Sequence, residues 1–142
     1  MNEYVSTVKQ IDANADEVFA VLSDMENISH VKDLIPEDKI KDLTFTSDSV
    51  KFKVDGLGQK VGIRIVEREP YRTIKFGVEN IPIEANFWIQ LKQMAENDTR
   101  IRLTLRAELP MMFKMMLDGK LKQGIEQAAD YLSKFPYKTW QK

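Results

Sequence analysis

The sequence predicts an α+β fold: a curved antiparallel sheet of seven strands packed on a long C-terminal helix, with two short helices after the first strand. Residues 110–135, PMMFKMMLDGKLKQGIEQAADYLSKF, carry a helical period, with Phe113, Leu117, Leu121, Gly124, Ile125, Ala128, Tyr131, Leu132 and Phe135 on one stripe. Lys122, Gln123, Glu126, Asp130 and Lys134 fall opposite. Residues 40–109 instead alternate with period two, in runs joined by connections short enough to require antiparallel neighbours. The order strand, two helices, run of strands, long helix places the helices on one side of a sheet.

The elements follow in order. Tyr4 to Ile11 alternates apolar and polar side chains and reads as the first strand. Asn14 with Glu17 three residues on forms a capping-box pattern, and Ala15, Val18, Phe19 and Leu22 give the apolar face of a short helix. Ile28, Val31 and Ile35 outline a second short helix that Pro36 stops. Six strands are then expected at Ile40 to Phe45, Ser49 to Val54, Lys60 to Glu67, Arg72 to Glu79, Ala85 to Met94 and Thr99 to Leu109. The turn residues between them are Ser47-Asp48, Asp55-Gly56-Leu57-Gly58, Glu69-Pro70 and Glu96-Asn97-Asp98.

The two faces of these strands differ in chemistry. Val50, Phe52, Ile63, Ile65, Ile74, Phe76, Phe87, Ile89, Leu91, Ile101, Leu103 and Leu105 fall on one face, and Lys51, Lys53, Arg64, Lys75, Lys92, Arg100, Arg102 and Arg106 on the other. The apolar face must meet the long helix, and one helix has too little surface to fill a strongly curved sheet, so a cavity is expected. Its expected lining is Phe52, Ile63, Ile65, Ile74, Phe76, Phe87, Ile89, Leu103 and Leu105 from the sheet, with Leu117, Leu121, Gly124 and Ala128 from the helix. Gly124 admits two readings. A mid-helix glycine costs about 1 kcal/mol relative to alanine, so it serves either close helix–sheet packing or an open space for a ligand.

At 142 residues the chain is read as one domain, 1–142, with a core that needs no staples. It has no cysteine, which excludes disulfides, thiolate metal sites and a cysteine nucleophile. The first residues, MNEYVSTVKQI, form neither a signal peptide nor a membrane span, so a cytoplasmic protein without membrane insertion is expected. The 21 Lys+Arg nearly cancel 22 Asp+Glu, so net charge offers no argument for a nucleic-acid or membrane partner.

The order of elements, with the segment IDANADEVFAVLSDMENI and the Glu67-x-x-Pro70-x-Arg72 pattern in VEREPYRTIKF, resembles the START-like (SRPBCC) superfamily. That superfamily includes the birch-pollen-allergen fold and proteins labelled polyketide cyclase/dehydrase-like. The resemblance covers nearly the whole chain. It implies a helix-grip fold, a seven-stranded sheet gripping the C-terminal helix over an apolar cavity for lipids, sterols, polyketides or similar molecules, and it favours the ligand-space reading of Gly124. Enzymes of the family bind substrate through polar side chains inside the cavity, and none can be mapped here, because the inward positions are all apolar.

Other candidates carry weak chemistry. His30 is the single histidine and lacks the partners of a metal site or a dyad. Gly56 and Gly58 resemble a phosphate cradle, but no helix follows them, so they read as a hairpin turn. Met112, Met115 and Met116, with Met111, make the start of the long helix apolar nearly all round, which suits a ligand portal or a partner contact as well as packing. The basic sheet face, with Trp88 within it, reads as an ordinary solvated face.

The leading expectation is a non-catalytic carrier or sensor of a small hydrophobic molecule, without cofactor, metal or catalytic residue, existing as a monomer or weak dimer. The second is a cyclase- or hydratase-type enzyme using polar groups at the cavity mouth. The third is a protein-interaction module, like the Hsp90-activating co-chaperone domain of this fold, working through the methionines or the basic face.

Overall fold

A computed structural model of the protein describes residues 2–30, 40–54, 60–81 and 83–139. The strands are β1 (Asn2–Val5), β2 (Lys9–Ile11), β3 (Ile40–Phe45), β4 (Ser49–Val54), β5 (Lys60–Glu69), β6 (Thr73–Glu79), β7 (Ala85–Ala95) and β8 (Asp98–Ala107). The helices are α1 (Ala15–Leu22), a short 3-10 helix (Met25–His30) and α2 (Met111–Lys134). All strands pair antiparallel in one curved sheet, ordered β1-β8-β7-β6-β5-β4-β3, with β2 also on β8. β1 and β2 share one edge position, so the sheet is seven strands wide, a helix-grip α+β fold.

The expected first strand is split because it carries one residue too many. Val5 lies opposite Thr104 and Lys9 opposite Ile101, so four steps on the edge strand span three on β8. This bulge frees Thr7 from the ladder. Another bulge, between Ile65 and Glu67, reverses the alternation of β5 and sets Arg68 opposite the inward-facing Ile74. The turn after β5 explains the Glu67-x-x-Pro70-x-Arg72 pattern. Pro70 supplies the second turn position, Tyr71 takes φ 66°, and the Arg72 amide returns to the Glu69 carbonyl at 3.0 Å.

The inner face buries Val50, Ile65, Ile74, Phe76, Ile89, Leu91, Ile101 and Leu103 against Val18, Phe19 and Met25 of the short helices and Ile125 and Ala129 of α2. On the outer face Lys51, Lys53, Arg64, Arg102 and Arg106 are exposed and Lys75 is half-buried. Lys75 and Arg106 both lie over the Trp88 ring, at 5.4 and 5.8 Å from its centroid. Arg64 pairs with Glu79 and Arg106 with Glu3.

The second short helix is a 3-10 helix as far as His30. Its predicted continuation to Ile35, the Pro36 stop, the Asp55 to Gly58 turn and the His30 side chain lie outside the described residues.

Candidate functional site

The site begins at α1, whose start is tied to the β7–β8 turn. Gln93 accepts the Ala15 amide, and Asn14 Oδ1 accepts from Gln93 Nε2 and the Asn97 amide. The Asn14 amide in turn donates to Glu17 Oε1 at 2.9 Å, the backward half of a capping box. That bond, followed by Lys138 at 3.0 Å, holds the Glu17 carboxyl below its usual range.

The end of α1 is tied to the opposite side of the sheet. Arg68, turned inward by the bulge in β5, donates from Nε and Nη2 to the Ser23 carbonyl and from Nη2 to Asp48. The Met25 amide donates to the Ser47 carbonyl, and Asn27 Nδ2 donates to the Val21 carbonyl at 2.7 Å. These bonds suspend residues 21–27 above the sheet.

The third wall is the end of α2. Tyr137 is buried, its hydroxyl donates to the Leu132 carbonyl at 2.6 Å, and its ring meets Phe135 at 5.0 Å. Burial pushes the Tyr137 phenol well above its ordinary pKa. The position of α2 is set at its middle by two carboxylates. Asp118 accepts from Tyr4, and Glu126 accepts the Thr7 amide and hydroxyl freed by the edge bulge, with Lys9 at 3.5 Å.

Between these walls lies a cavity of about 290 Å³. Val21, Leu22, Asp24, Met25 and Asn27 close one side; Ile63, Phe76, Phe87 and Ile89 form the floor; Tyr131, Leu132 and Phe135 close the other. Among the described lining residues, polar groups come from Asp24, Asn27 and the Tyr131 hydroxyl. The Asp24 carboxylate accepts the Glu26 amide at 3.0 Å. No cluster of three or more His, Asp or Glu placed to hold a metal exists among the described residues.

Of the expected lining, Ile63, Phe76, Phe87 and Ile89 reach the cavity. Ile65, Ile74 and Leu103 are buried in the surrounding core, with Phe52, Leu105 and Leu121 packed against it and Leu117 half-buried. Gly124 and Ala128 require correction, because both are exposed. The two carboxylate ties rotate α2 so that Ile125 and Ala129 point inward, and a Cβ added at Gly124 meets no atom within 4 Å. Close packing is therefore not the reason for this glycine. Met112, Met115 and Met116 do not line this cavity either. They are 65–81% exposed, and at 1.5 Å per residue the start of α2 lies about 30 Å from Tyr131.

The sequence reading missed Val21, Met25, Asp24 and Asn27, which arrive through the Arg68 and Ser47 contacts. It placed Tyr131, Leu132 and Phe135 on the apolar stripe without assigning them to the cavity.

No protein-family model matches the chain, and no curated protein matches it in sequence. Solved structures do match it. Norcoclaurine synthase from Thalictrum flavum, in complex with dopamine and hydroxybenzaldehyde, aligns with a TM-score of 0.72 at 14% identity over 99% of this chain and 90% of that one. A solution structure from Thermobifida fusca aligns with a TM-score of 0.67 at 12% identity, covering 96% of this chain and 93% of the other. The di-domain ARO/CYC protein BexL from the BE-7585A biosynthetic pathway aligns with a TM-score of 0.60 at 17% identity over 94% of this chain and 45% of BexL. With the sheet order and the gripped C-terminal helix, these alignments give the chain the helix-grip fold that these structures share, the fold that the resemblance to START-like (SRPBCC) proteins implies.

Proposed function

We propose that the protein binds a small hydrophobic molecule in the cavity between β5–β7 and the end of α2, as a non-catalytic carrier or sensor. The observation that carries this reading is the wall itself, aliphatic and aromatic throughout except for Asp24 and Asn27. A volume of about 290 Å³ lies at the lower end of ligand sites, so one compact lipid-like or polyketide-like molecule is the expected class. The cytoplasm is the expected setting.

The test is titration with the neutral fluorescent probe phenyl-naphthylamine, and with any molecule that native mass spectrometry finds on protein from its own source. Leu132→Trp and Ile63→Trp each place an indole in the cavity. Both should lower probe affinity at least about tenfold, the loss of roughly one buried small group. Probe binding unchanged in both variants, with cooperative melting retained, would remove the cavity as the site.

A second, enzymatic reading rests on Asp24, the one carboxylate among the described residues that line the cavity. Two of the similar structures bear enzyme names, norcoclaurine synthase and ARO/CYC. Turnover of a co-purifying ligand that is lost in Asp24→Asn, with binding retained, would favour it over the carrier.

A further inference from the structure

The molecule exposes a second apolar surface, remote from the cavity, at the first two turns of α2. Met111, Met112, Met115 and Met116 are 78, 73, 81 and 65% exposed, and Phe113 is 49% exposed. Their azimuths make this more than a stray patch. Measured from the buried Ile125 at 100° per residue, Met111, Met115, Met112, Met116 and Phe113 stand at about 40°, 80°, 140°, 180° and 240°. Large apolar side chains thus cover an arc of about 200° on a helix end that no described element encloses.

We propose that this end of α2 docks on the surface of a lipid membrane containing anionic lipids, its methionines entering the boundary between headgroups and acyl chains. A protein groove receives a helix along one stripe at i, i+3, i+4 and i+7. An arc twice that width is matched by a fluid apolar phase that closes around it, and flexible thioethers adapt to such a phase at low cost. The charges behind the tip agree. Lys120 and Lys122 follow on the same arc, at about 220° and 60°, at the depth where ammonium groups meet lipid phosphates. The only carboxylate among these first turns, Asp118, is turned inward to Tyr4 and paired with Lys122. Glu84 and Glu108, before the helix start, are exposed and Lys122 is shared with Asp118, so apolar insertion supplies most of the attachment and Lys120 adds the preference for an anionic surface. No helix among the described residues is long and apolar enough to cross a membrane, so the docking is peripheral. It stands independently of any ligand in the cavity.

The test uses the full chain and vesicles of phosphatidylcholine mixed with phosphatidylglycerol. The protein should co-sediment with them, more so as the phosphatidylglycerol fraction rises. The triple variant Met112→Gln, Met115→Gln, Met116→Gln should reduce the partition coefficient roughly a hundredfold, and the matching triple leucine variant should retain it. The chain has no cysteine, so Met115→Cys can carry a single polarity-sensitive dye. Its emission should shift to the blue on vesicles, whereas the same dye at Lys51→Cys on the outer sheet face should not respond. Absence of vesicle binding, or binding that survives the glutamine variant, would overturn the proposal. Equal binding to pure phosphatidylcholine would overturn the anionic selection. Methionine-dependent self-association without vesicle binding would replace the membrane by a second copy of the chain.

Discussion

The Tyr4 hydroxyl donates to Asp118 Oδ1 across 2.8 Å and so joins the first strand to α2 over a separation of 114 residues. About two turns further along α2, Glu126 accepts from Thr7 and makes a second such tie. The Tyr4 bond, then Lys122, holds the Asp118 carboxyl below its usual 3.8. The Thr7 amide and hydroxyl, followed by Lys9, hold that of Glu126 below 4.5.

Lowered carboxyl pKa values fix the sign of the acid response. Each carboxylate contributes stability that is fully present above its unfolded value and is lost as pH falls through its folded value. Melting temperature should therefore drop as pH falls below about 4.5. Glu126→Gln should flatten that slope by lowering the neutral-pH melt, while the acid melt, where Glu126 is protonated in the wild type, changes less. Parallel slopes for variant and wild type would show that Glu126 is not among the groups that set it.

Gly124→Ala should stabilise the protein. The added methyl meets nothing within 4 Å, and removing a mid-helix glycine is worth up to about 1 kcal/mol. Thermal melts should show a rise of a few degrees, with probe binding unchanged because Gly124 does not line the cavity. A fall in melting temperature would mean that the helix is rotated from the position described.

Ile125→Ala tests the same rotation from the other side. Ile125 is 7% exposed, and truncating a core isoleucine costs about 2–5 kcal/mol. Its neighbour Ala128 is exposed, so Ala128→Gln should shift stability by no more than about 0.5 kcal/mol. Denaturant titration of the two variants should separate them clearly.

Arg68→Met removes the hold on the Ser23 carbonyl and Asp48 while keeping the aliphatic stem. Amide hydrogen exchange over residues 21–27 should quicken, and probe affinity should fall, because these residues form one cavity wall. Unaltered exchange in that segment would mean that the Met25–Ser47 bond suffices to hold it.

The sheet was legible in the sequence because its two faces differ so sharply. Period-two alternation of isoleucine and leucine with lysine and arginine placed six strands to within two residues of the observed ends and fixed which face turns inward. What alternation cannot carry is an inserted residue. Each bulge reverses the phase, so Arg68, beyond the expected end of its strand at Glu67, was not assigned to the inner face, and the first strand broke at Ser6. The helix was legible as a helix, but its rotation was not. An apolar stripe wide enough to include both Gly124 and Ile125 leaves the centre undetermined, and the deciding bonds come from Asp118 and Glu126, polar residues that pattern reading assigns to solvent. For the same reason half of the cavity was hidden. Val21, Met25 and Asn27 are held there by the Met25 amide on the Ser47 carbonyl and the Arg68 side chain on the Ser23 carbonyl, and such distant contacts leave no mark on local composition.

The insertion at Ser6 to Val8 also governs how the molecule behaves at high concentration. An uninterrupted border strand offers a row of free amides and carbonyls on which another chain can extend the sheet. Here the border is cut into runs of four and three residues. At the break the Ser6 amide is spent on Leu103 and the Thr7 amide on a side chain from α2. A stranger's strand would have to displace the helix carboxylate before it could add, so this flank is closed to runaway polymerisation by the same residue that positions α2.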